Sequence, residues 1–232
     1  MHPTLWGEGA AGTIGMNHLE LKRRGILCVV SGPSGSGKTT LCRRFSEADP
    51  AAVYAVSATT RAPRTGEKDG VDYFFLSRED FEARTTKGEF LEYAEVHGNL
   101  YGTLKSEVLS HIESGRDVLL DIDVQGAELV RNQSDESIRE SLVDIFVLPP
   151  SDEELLARLQ ARGTETPDQL ALRLVNAREE MRHWTSYRYT VVSRDKESDF
   201  ATFSAIVSGE RCRSSRLTRD DGAAARQPEL EW

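Results

Sequence analysis

Gly32, Gly37, Lys38 and Thr39 stand at the spacing G-x-x-x-x-G-K-T inside the stretch SGPSGSGKTT, Ser31 to Thr40. So much backbone freedom around one cation has a chemical use. A polyphosphate packs several negative charges into a small volume. Successive backbone N–H groups can wrap it only where side chains do not obstruct the approach, which calls for glycine. Gly32, Pro33, Ser34, Gly35, Ser36, Gly37, Lys38, Thr39 and Thr40 are therefore the candidate triphosphate cradle. Lys38 supplies a mobile point charge to the terminal phosphates, and the Thr39 hydroxyl is the candidate ligand of a Mg²⁺ ion.

Such a loop works only if a strand delivers it and a helix receives the anion. Ile26 to Val30 (ILCVV) is a short, continuous, β-branched run, as expected for a strand covered on both faces. After the loop, Leu41 and Phe45 lie four residues apart on one helical face, and Asp49-Pro50 stops that helix. VLLDID (118–123) is a second apolar run, ending in Asp121 and Asp123; LVDIFVL (142–148) is a third and YTVV (189–192) a fourth. Helical patterns lie between them, at Gly102 to Ser114 and Phe200 to Glu210. Strands alternating with helices predict an α/β fold with a parallel sheet and right-handed crossovers.

Two stretches break this rhythm. Residues 57–101 hold short alternating pieces such as DYFFLS and FLEYAEV, broken by Gly and Pro, and read as a small mixed-β insertion. Residues 151–182 read as purely helical. Ser151 with Glu154 forms a capping box there, and Thr166-Pro167 with Gln169 a second. Arg158 and Arg162 share a helix face. Arg173 follows on the next helix, whose apolar stripe is Leu170, Leu174, Ala177 and Met181.

Composition narrows the partners. The 232 residues carry a net charge of −9, which argues against a nucleic-acid partner; an anion site must be basic locally. Cys28, Cys42 and Cys212 form no C-x-x-C pair and suggest a reducing compartment, the cytoplasm. No apolar run approaches the roughly 18 residues of a membrane span. Lys22-Arg23-Arg24 before GILCVV imitates a signal peptide, but the apolar part is short and enters the glycine loop, so it is read as a buried strand.

The acceptor has to be read elsewhere. SATTRAPRTGEKDGVDYFF (57–75) concentrates hydroxyls, and Pro63 keeps Arg61 and Arg64 on an irregular segment where they could meet one phosphate. Here the chain closely resembles the guanylate kinase family. The matching pieces are SGPSGSGKTTL, SATTRAPRTGEKDGVDYFF, GEFLEYAEVHGNLYGT, LLDIDVQGA, LPPSDEELLARLQARGTET and EEMRHW, in order across residues 26–195. The resemblance implies a three-layer parallel-sheet core with phosphate loop (25–56, 107–150 and 183–210), a GMP-binding insertion (57–106) and a helical lid (151–182). An extension over 1–24 and a partly disordered tail over 211–232 are expected to flank this domain of 25–210.

The resemblance also implies roles. Ser57, Arg61, Arg64, Tyr73 and Tyr101 would hold GMP, chiefly its phosphate. Glu92, Thr103 and Asp123 would read the guanine, and Asp121 would sit near the metal and the acceptor phosphate. Lys38, Arg61, Arg158, Arg162, Arg173 and Asp121 would carry catalysis, with ATP as donor and Mg²⁺ as cofactor. From the residues alone, Glu92 reads as an exposed strand charge. The chain departs from the family's pattern at Ser193-Arg194, where an Asn-Asp pair is usual, and at Arg188, where an acid is common. Two other readings compete: a phosphotransferase of the same architecture acting on another nucleotide or a sugar phosphate, and a non-catalytic scaffold module. Homo-oligomerisation is left open.

Overall fold

The computed structural model describes residues 21–96, 98–160 and 167–219. The chain enters through a short strand, β1 (Leu21–Arg23), and the buried run β2 (Leu27–Ser31), followed by α1 (Lys38–Ala48) and β3 (Ala52–Tyr54). The insertion contributes β4 (Ala58–Thr59), β5 (Phe74–Phe75), α2 (Arg78–Thr86), β6 (Phe90–Val96) and β7 (Asn99–Leu104). The chain returns through α3 (Lys105–Glu113), β8 (Asp117–Asp121), α4 (Val124–Arg131), α5 (Glu136–Ser141) and β9 (Leu142–Leu148). There follow α6 (Asp152–Gln160), α7 (Pro167–Met181), a 3₁₀ turn over Arg182–Ser186, β10 (Tyr189–Val192), α8 (Lys196–Arg211) and β11 (Leu217–Arg219).

Five strands pair in the order β10-β9-β2-β8-β3, all parallel. All five residues of β2 are buried, and the alternation of a strand sends them to opposite faces. Ile26, Cys28 and Val30 pack with Leu41 and Phe45 of α1 and Phe203 and Val207 of α8. Leu27 and Val29 pack with Val108 and Ile112 of α3, Val130 of α4 and Ile138 of α5. The result is a helix–sheet–helix sandwich, the expected three layers, with the glycine loop leaving the sheet at the carboxyl end of its central strand. That is where open α/β sheets bind ligands.

The insertion is a four-stranded mixed sheet in the order β5-β4-β7-β6, with its own core of Ala58, Phe81, Phe90, Leu100 and Leu104. It contains a helix that the alternating pieces did not announce. α2 is started by Ser77, whose hydroxyl accepts from the Asp80 backbone N–H at 3.0 Å, and Phe81 from that helix stacks on Phe90 at 4.2 Å between ring centroids. The helix expected from Gly102 starts instead at Lys105. Gly102 belongs to β7, opposite Ala58 and Tyr93, and a Cβ there would lie 2.7 Å from the Glu92 carbonyl oxygen.

The ends of the described chain also correct the expectation. Leu21–Arg23, assigned to the extension, pair antiparallel with Leu217–Arg219, assigned to the tail. A buried electrostatic cluster adjoins this pair. Asp117 is fully buried and accepts from Arg23, from Arg211 Nε at 2.6 Å and from the Ile26 backbone N–H at 2.9 Å, and Arg211 also reaches Asp49 at 2.7 Å. A buried carboxylate is tolerated only when so compensated, and these arginines anchor β1 and the end of α8 on the core. No helix among the described residues is long and apolar enough to cross a membrane.

Candidate active site

The loop is built around backbone that only glycine adopts readily. Gly32, Gly35 and Gly37 have φ of 149°, 91° and 97°. Gly32 also lies against β9; a Cβ there would come within 2.3 Å of the Val147 carbonyl oxygen. Gly37 is the N-cap of α1 and has no side chain to satisfy the helix's first N–H groups, and the first turn carries no acid. That end of α1 is left open to an anion. Lys38 Nζ donates to the Pro33 carbonyl at 3.4 Å, so the cation rests inside its own loop.

Two cavities flank the loop. One, of about 350 Å³, is lined by Gly32, Ser34, Gly35, Gly37, Lys38, Thr39, Thr40, Asp121, Ile122, Asp123 and Glu180. The Thr39 hydroxyl donates to Asp121 Oδ2, which the Tyr54 hydroxyl also reaches at 3.5 Å. Asp123 caps α4, accepting from the Gly126 N–H at 2.8 Å. The other cavity, of about 330 Å³, is lined by Gly35, Ser36, Gly37, Thr40, Leu41, Arg44, Arg158 and residues 193–196 with Asp199.

The helical segment closes on the loop from the far side. Leu155 and Leu159 of α6 form one core with Leu170, Leu174, Ala177 and Met181 of α7, the stripe read from the sequence, and a Cβ on Gly35 would touch Leu159. The Glu154 backbone N–H donates to Ser151 Oγ at 3.2 Å, the expected cap; the second capping box begins outside the described residues. Arg158 spans the second cavity, donating to Ser193 Oγ at 2.9 Å and to the Ser36 carbonyl at 3.5 Å while Glu154 holds its Nε at 2.8 Å. Arg173 is exposed on α7 and lines neither cavity, and Arg162 lies outside the described residues.

Ser193 is buried and its hydroxyl is spoken for twice: it accepts from Arg158 and donates to Asp199 Oδ2 at 2.7 Å. The Arg194 backbone N–H donates to the other Asp199 oxygen at 2.8 Å. This pair fixes the wall of the second cavity through Asp199.

The insertion gathers the remaining candidates. Glu92 on β6 faces Thr103 on β7, and the Thr103 hydroxyl donates to Glu92 Oε1 at 2.7 Å. Glu92 is only 8% exposed, so the reading of an exposed strand charge is corrected. A register shift between Phe90 and Glu92 turns the carboxylate inward beside Leu91. Burial pushes its pKa above the ordinary carboxylate range, the Thr103 hydrogen bond opposes this, and the Asp123 charge adds to the rise. Tyr73 and Tyr101 meet edge to face at 6.1 Å, and the Arg61 guanidinium lies 5.3 Å from the Tyr73 ring centroid. Glu67 ties the irregular segment together, accepting from Arg61 Nη2 at 2.9 Å and from the Arg64 backbone N–H at 2.7 Å. Ser57 lies at the root of this sheet, its carbonyl accepting from the Phe74 N–H at 2.9 Å; the Arg64 side chain is exposed.

Two residues at the site were not singled out in the sequence. Glu67 carries the hydrogen bonds just described. Glu180 on α7 lines the Lys38 cavity; burial raises its pKa first, the Lys38 charge opposes this, and Asp123 adds to it. A signal existed for Glu180, since it stands three residues beyond Ala177 on the apolar stripe, where an acid is out of place.

A parallel sheet whose central strand feeds a glycine cradle at an open helix N-terminus, with a helical segment packed on the cradle and a small mixed sheet inserted in the chain, defines a phosphate-loop kinase. The guanylate kinase family model matches residues 24–209. The chain belongs to the guanylate kinase family. It is 45% identical over 202 residues to the guanylate kinase of Clostridium perfringens, covering 87% of this chain and 91% of that one. The guanylate kinase of Syntrophotalea carbinolica is 46% identical over 203 residues, 87% of this chain and 94% of the relative. The crystal structure of guanylate kinase from Anaplasma phagocytophilum superposes with a TM-score of 0.66 at 36% identity, covering 86% of this chain and 93% of that chain.

Proposed function

We propose that this chain transfers the γ-phosphate of ATP to GMP, and to dGMP, giving ADP and GDP, and so serves purine nucleotide metabolism and the recycling of GMP. The observation that carries the choice of acceptor is the buried Glu92 carboxylate, oriented by Thr103 at 2.7 Å within reach of the Asp123 field that also acts on Glu180 beside Lys38. Guanine presents two adjacent donors, N1–H and the amino group, and one carbonyl. An ionised carboxylate is a pure acceptor and suits the donors; Asp123 adds a second acceptor, and the Thr103 hydroxyl, whose single proton goes to Glu92 in the ligand-free protein, would turn it to the guanine carbonyl. Adenine lacks the N1–H and would leave a buried carboxylate unpaired.

In this reading Ser57, Arg61, Arg64, Tyr73 and Tyr101 hold the GMP phosphate, with Glu67 keeping the two arginines on one segment. Residues 32–40 cradle the ATP phosphates. The acceptor phosphate is already nucleophilic at neutral pH, so transfer needs positioning and charge neutralisation rather than a strong base. Lys38, with Arg158, Arg162 and Arg173 on the closing lid 151–182, balances charge on the leaving oxygen and the transferred group, and closure excludes water. The oxygen donors present fit Mg²⁺: the Thr39 hydroxyl beside the Asp121 carboxylate is a hard-oxygen pair suited to an ion that keeps waters and phosphate oxygens as its other ligands. When bound there, Mg²⁺ supplies neutralisation of the β and γ oxygens. The free thiols of Cys28, Cys42 and Cys212 suit a reducing cytoplasm.

The test is product analysis. Purified protein with magnesium, ATP and GMP should yield ADP and GDP in equal amounts by phosphorus NMR, and Lys38→Ala should abolish nearly all of it. ADP formed without GDP, or at an unchanged rate in Lys38→Ala, would overturn the proposal.

A further inference from the structure

A third cleft, of about 440 Å³, shares no lining residue with the two cavities at the loop. Three guanidinium groups line it from three different elements: Arg131 at the end of α4, Arg139 in the last turn of α5, and Arg188 just before β10. One carboxylate lines it, Asp144, and its oxygens are already engaged. Oδ2 accepts from Arg131 Nε at 2.6 Å and Oδ1 from the Arg188 backbone N–H at 3.0 Å.

The positive charge is therefore in excess. The Arg188 guanidinium donates to the Leu142 carbonyl at 3.1 Å and stands 4.0 Å from Glu210, which is itself paired with Arg216 at 3.0 Å and bonded by the Tyr189 hydroxyl at 2.6 Å. The Arg139 side chain makes no hydrogen bond or ion pair among the described residues. Among the described residues Arg131 Nη2 is buried without a hydrogen-bond acceptor, although its guanidinium is held over the Tyr187 ring at 4.1 Å. Arg211 Nη2 and Arg216 Nε are likewise buried without an acceptor, but those arginines sit against Asp117, Asp49 and Glu210, whereas Arg131 Nη2 lies in a cleft whose one lining carboxylate is already engaged. Arg188, where the chain departs from the family's pattern, has no part in the loop site.

We infer that this cleft is a second anion site, for a phosphate group, distinct from both nucleotide sites. A tetrahedral phosphate offers several acceptor oxygens to donors arriving from different directions, and planar guanidinium forks match it bidentately. Bound there, it would tie α4 and α5 to the Ser186–Arg188 segment that joins the lid to β10. A free phosphate and the phosphate of a nucleotide share this recognition chemistry.

The experiment uses the full chain with both nucleotide sites saturated by magnesium, a non-hydrolysable ATP analogue and GMP. Inorganic phosphate and UMP are then titrated by isothermal calorimetry. One further site per chain is expected, weakening with ionic strength. Affinity should fall about tenfold or more in Arg139→Gln/Arg188→Gln, since charge-assisted hydrogen bonds are lost, while GMP-dependent turnover stays unchanged. UMP binding well above phosphate assigns the site to a nucleotide, and equal binding assigns it to free phosphate; both support the site. Should the double variant melt early, Arg139→Gln alone, at an exposed side chain, carries the test. No binding beyond the nucleotide sites, or undiminished affinity in the variants, overturns the inference. Because the nucleotide sites are filled and turnover is read separately, that failure is distinguishable from a failure of the proposed kinase activity.

Discussion

Glu92→Gln separates function from stability because the structure makes the two move in opposite directions. The carboxylate is 8% exposed, its hydrogen bonds come from Thr103, and burial holds its pKa above the ordinary carboxylate range. The folded state thus binds this proton more tightly than the unfolded chain does. The stability it contributes is fully present below the unfolded pKa and is lost as pH rises through the folded one, so at pH 7 the ionised group destabilises the ligand-free protein. The neutral, isosteric amide removes that penalty. Glu92→Gln should melt higher than the parent at pH 7, and the gain should vanish on titration to about pH 4. Catalysis should move the other way. The amide retains one acceptor and turns an NH₂ group toward a guanine donor, losing at least one charge-assisted hydrogen bond of about 1.5–3 kcal/mol, or roughly 10–150-fold in kcat/KM for GMP. KM for ATP should hold within about twofold, the donor site being built from other residues. The assays are calorimetric melting at the two pH values and steady-state kinetics with each substrate varied. A lower melting point at pH 7 together with parallel losses for ATP and GMP would refute the reasoning, since Glu92 would then be a structural residue.

Other perturbations test neighbouring parts. In the parent, GMP affinity measured by titration should weaken as pH falls toward the carboxylate range, Glu92 taking its proton before an ordinary carboxylate would, and Glu92→Gln should abolish that dependence. Lys38→Ala should lower kcat by about 10²–10³ with an unchanged circular dichroism melt, since the lysine neutralises phosphate and packs no core. Gly32→Ala would drive a Cβ to 2.3 Å from the Val147 carbonyl at a φ of 149°; strain of about 1–3 kcal/mol should weaken binding of an ATP analogue roughly tenfold in a calorimetric titration. Asp117→Ala should cost about 3–5 kcal/mol in urea unfolding, because it leaves Arg23 and Arg211 facing an empty buried site.

What the sequence disclosed followed from local rules. β2 reads as a continuous apolar run because both its faces are covered, and the loop is legible because its glycines serve positive φ and close approach. β9 and β10 match the runs at 142–148 and 189–192 residue for residue. What stayed hidden depends on contacts remote along the chain. Glu92 is turned inward by a register shift that alternation cannot show, and only the resemblance pointed to its burial. β1 and β11 have no periodicity to detect; beside their pairing, Arg23 and Arg211 converge on Asp117, 94 residues away from each. The Arg188 backbone N–H meets Asp144, 44 positions earlier, only once β9 and β10 are paired. Ser151 announced its helix, whereas α2 was masked by the alternating pieces on either side of Ser77.

The central claim is that a buried carboxylate beside a phosphate cradle selects guanine as the acceptor base. The most direct measurement is the ratio of kcat/KM for GMP to that for AMP under saturating magnesium-ATP. A ratio on the order of 10⁴ is expected, as for sites that reject an analogue lacking the hydrogen-bonding group; comparable use of the two monophosphates would contradict the account.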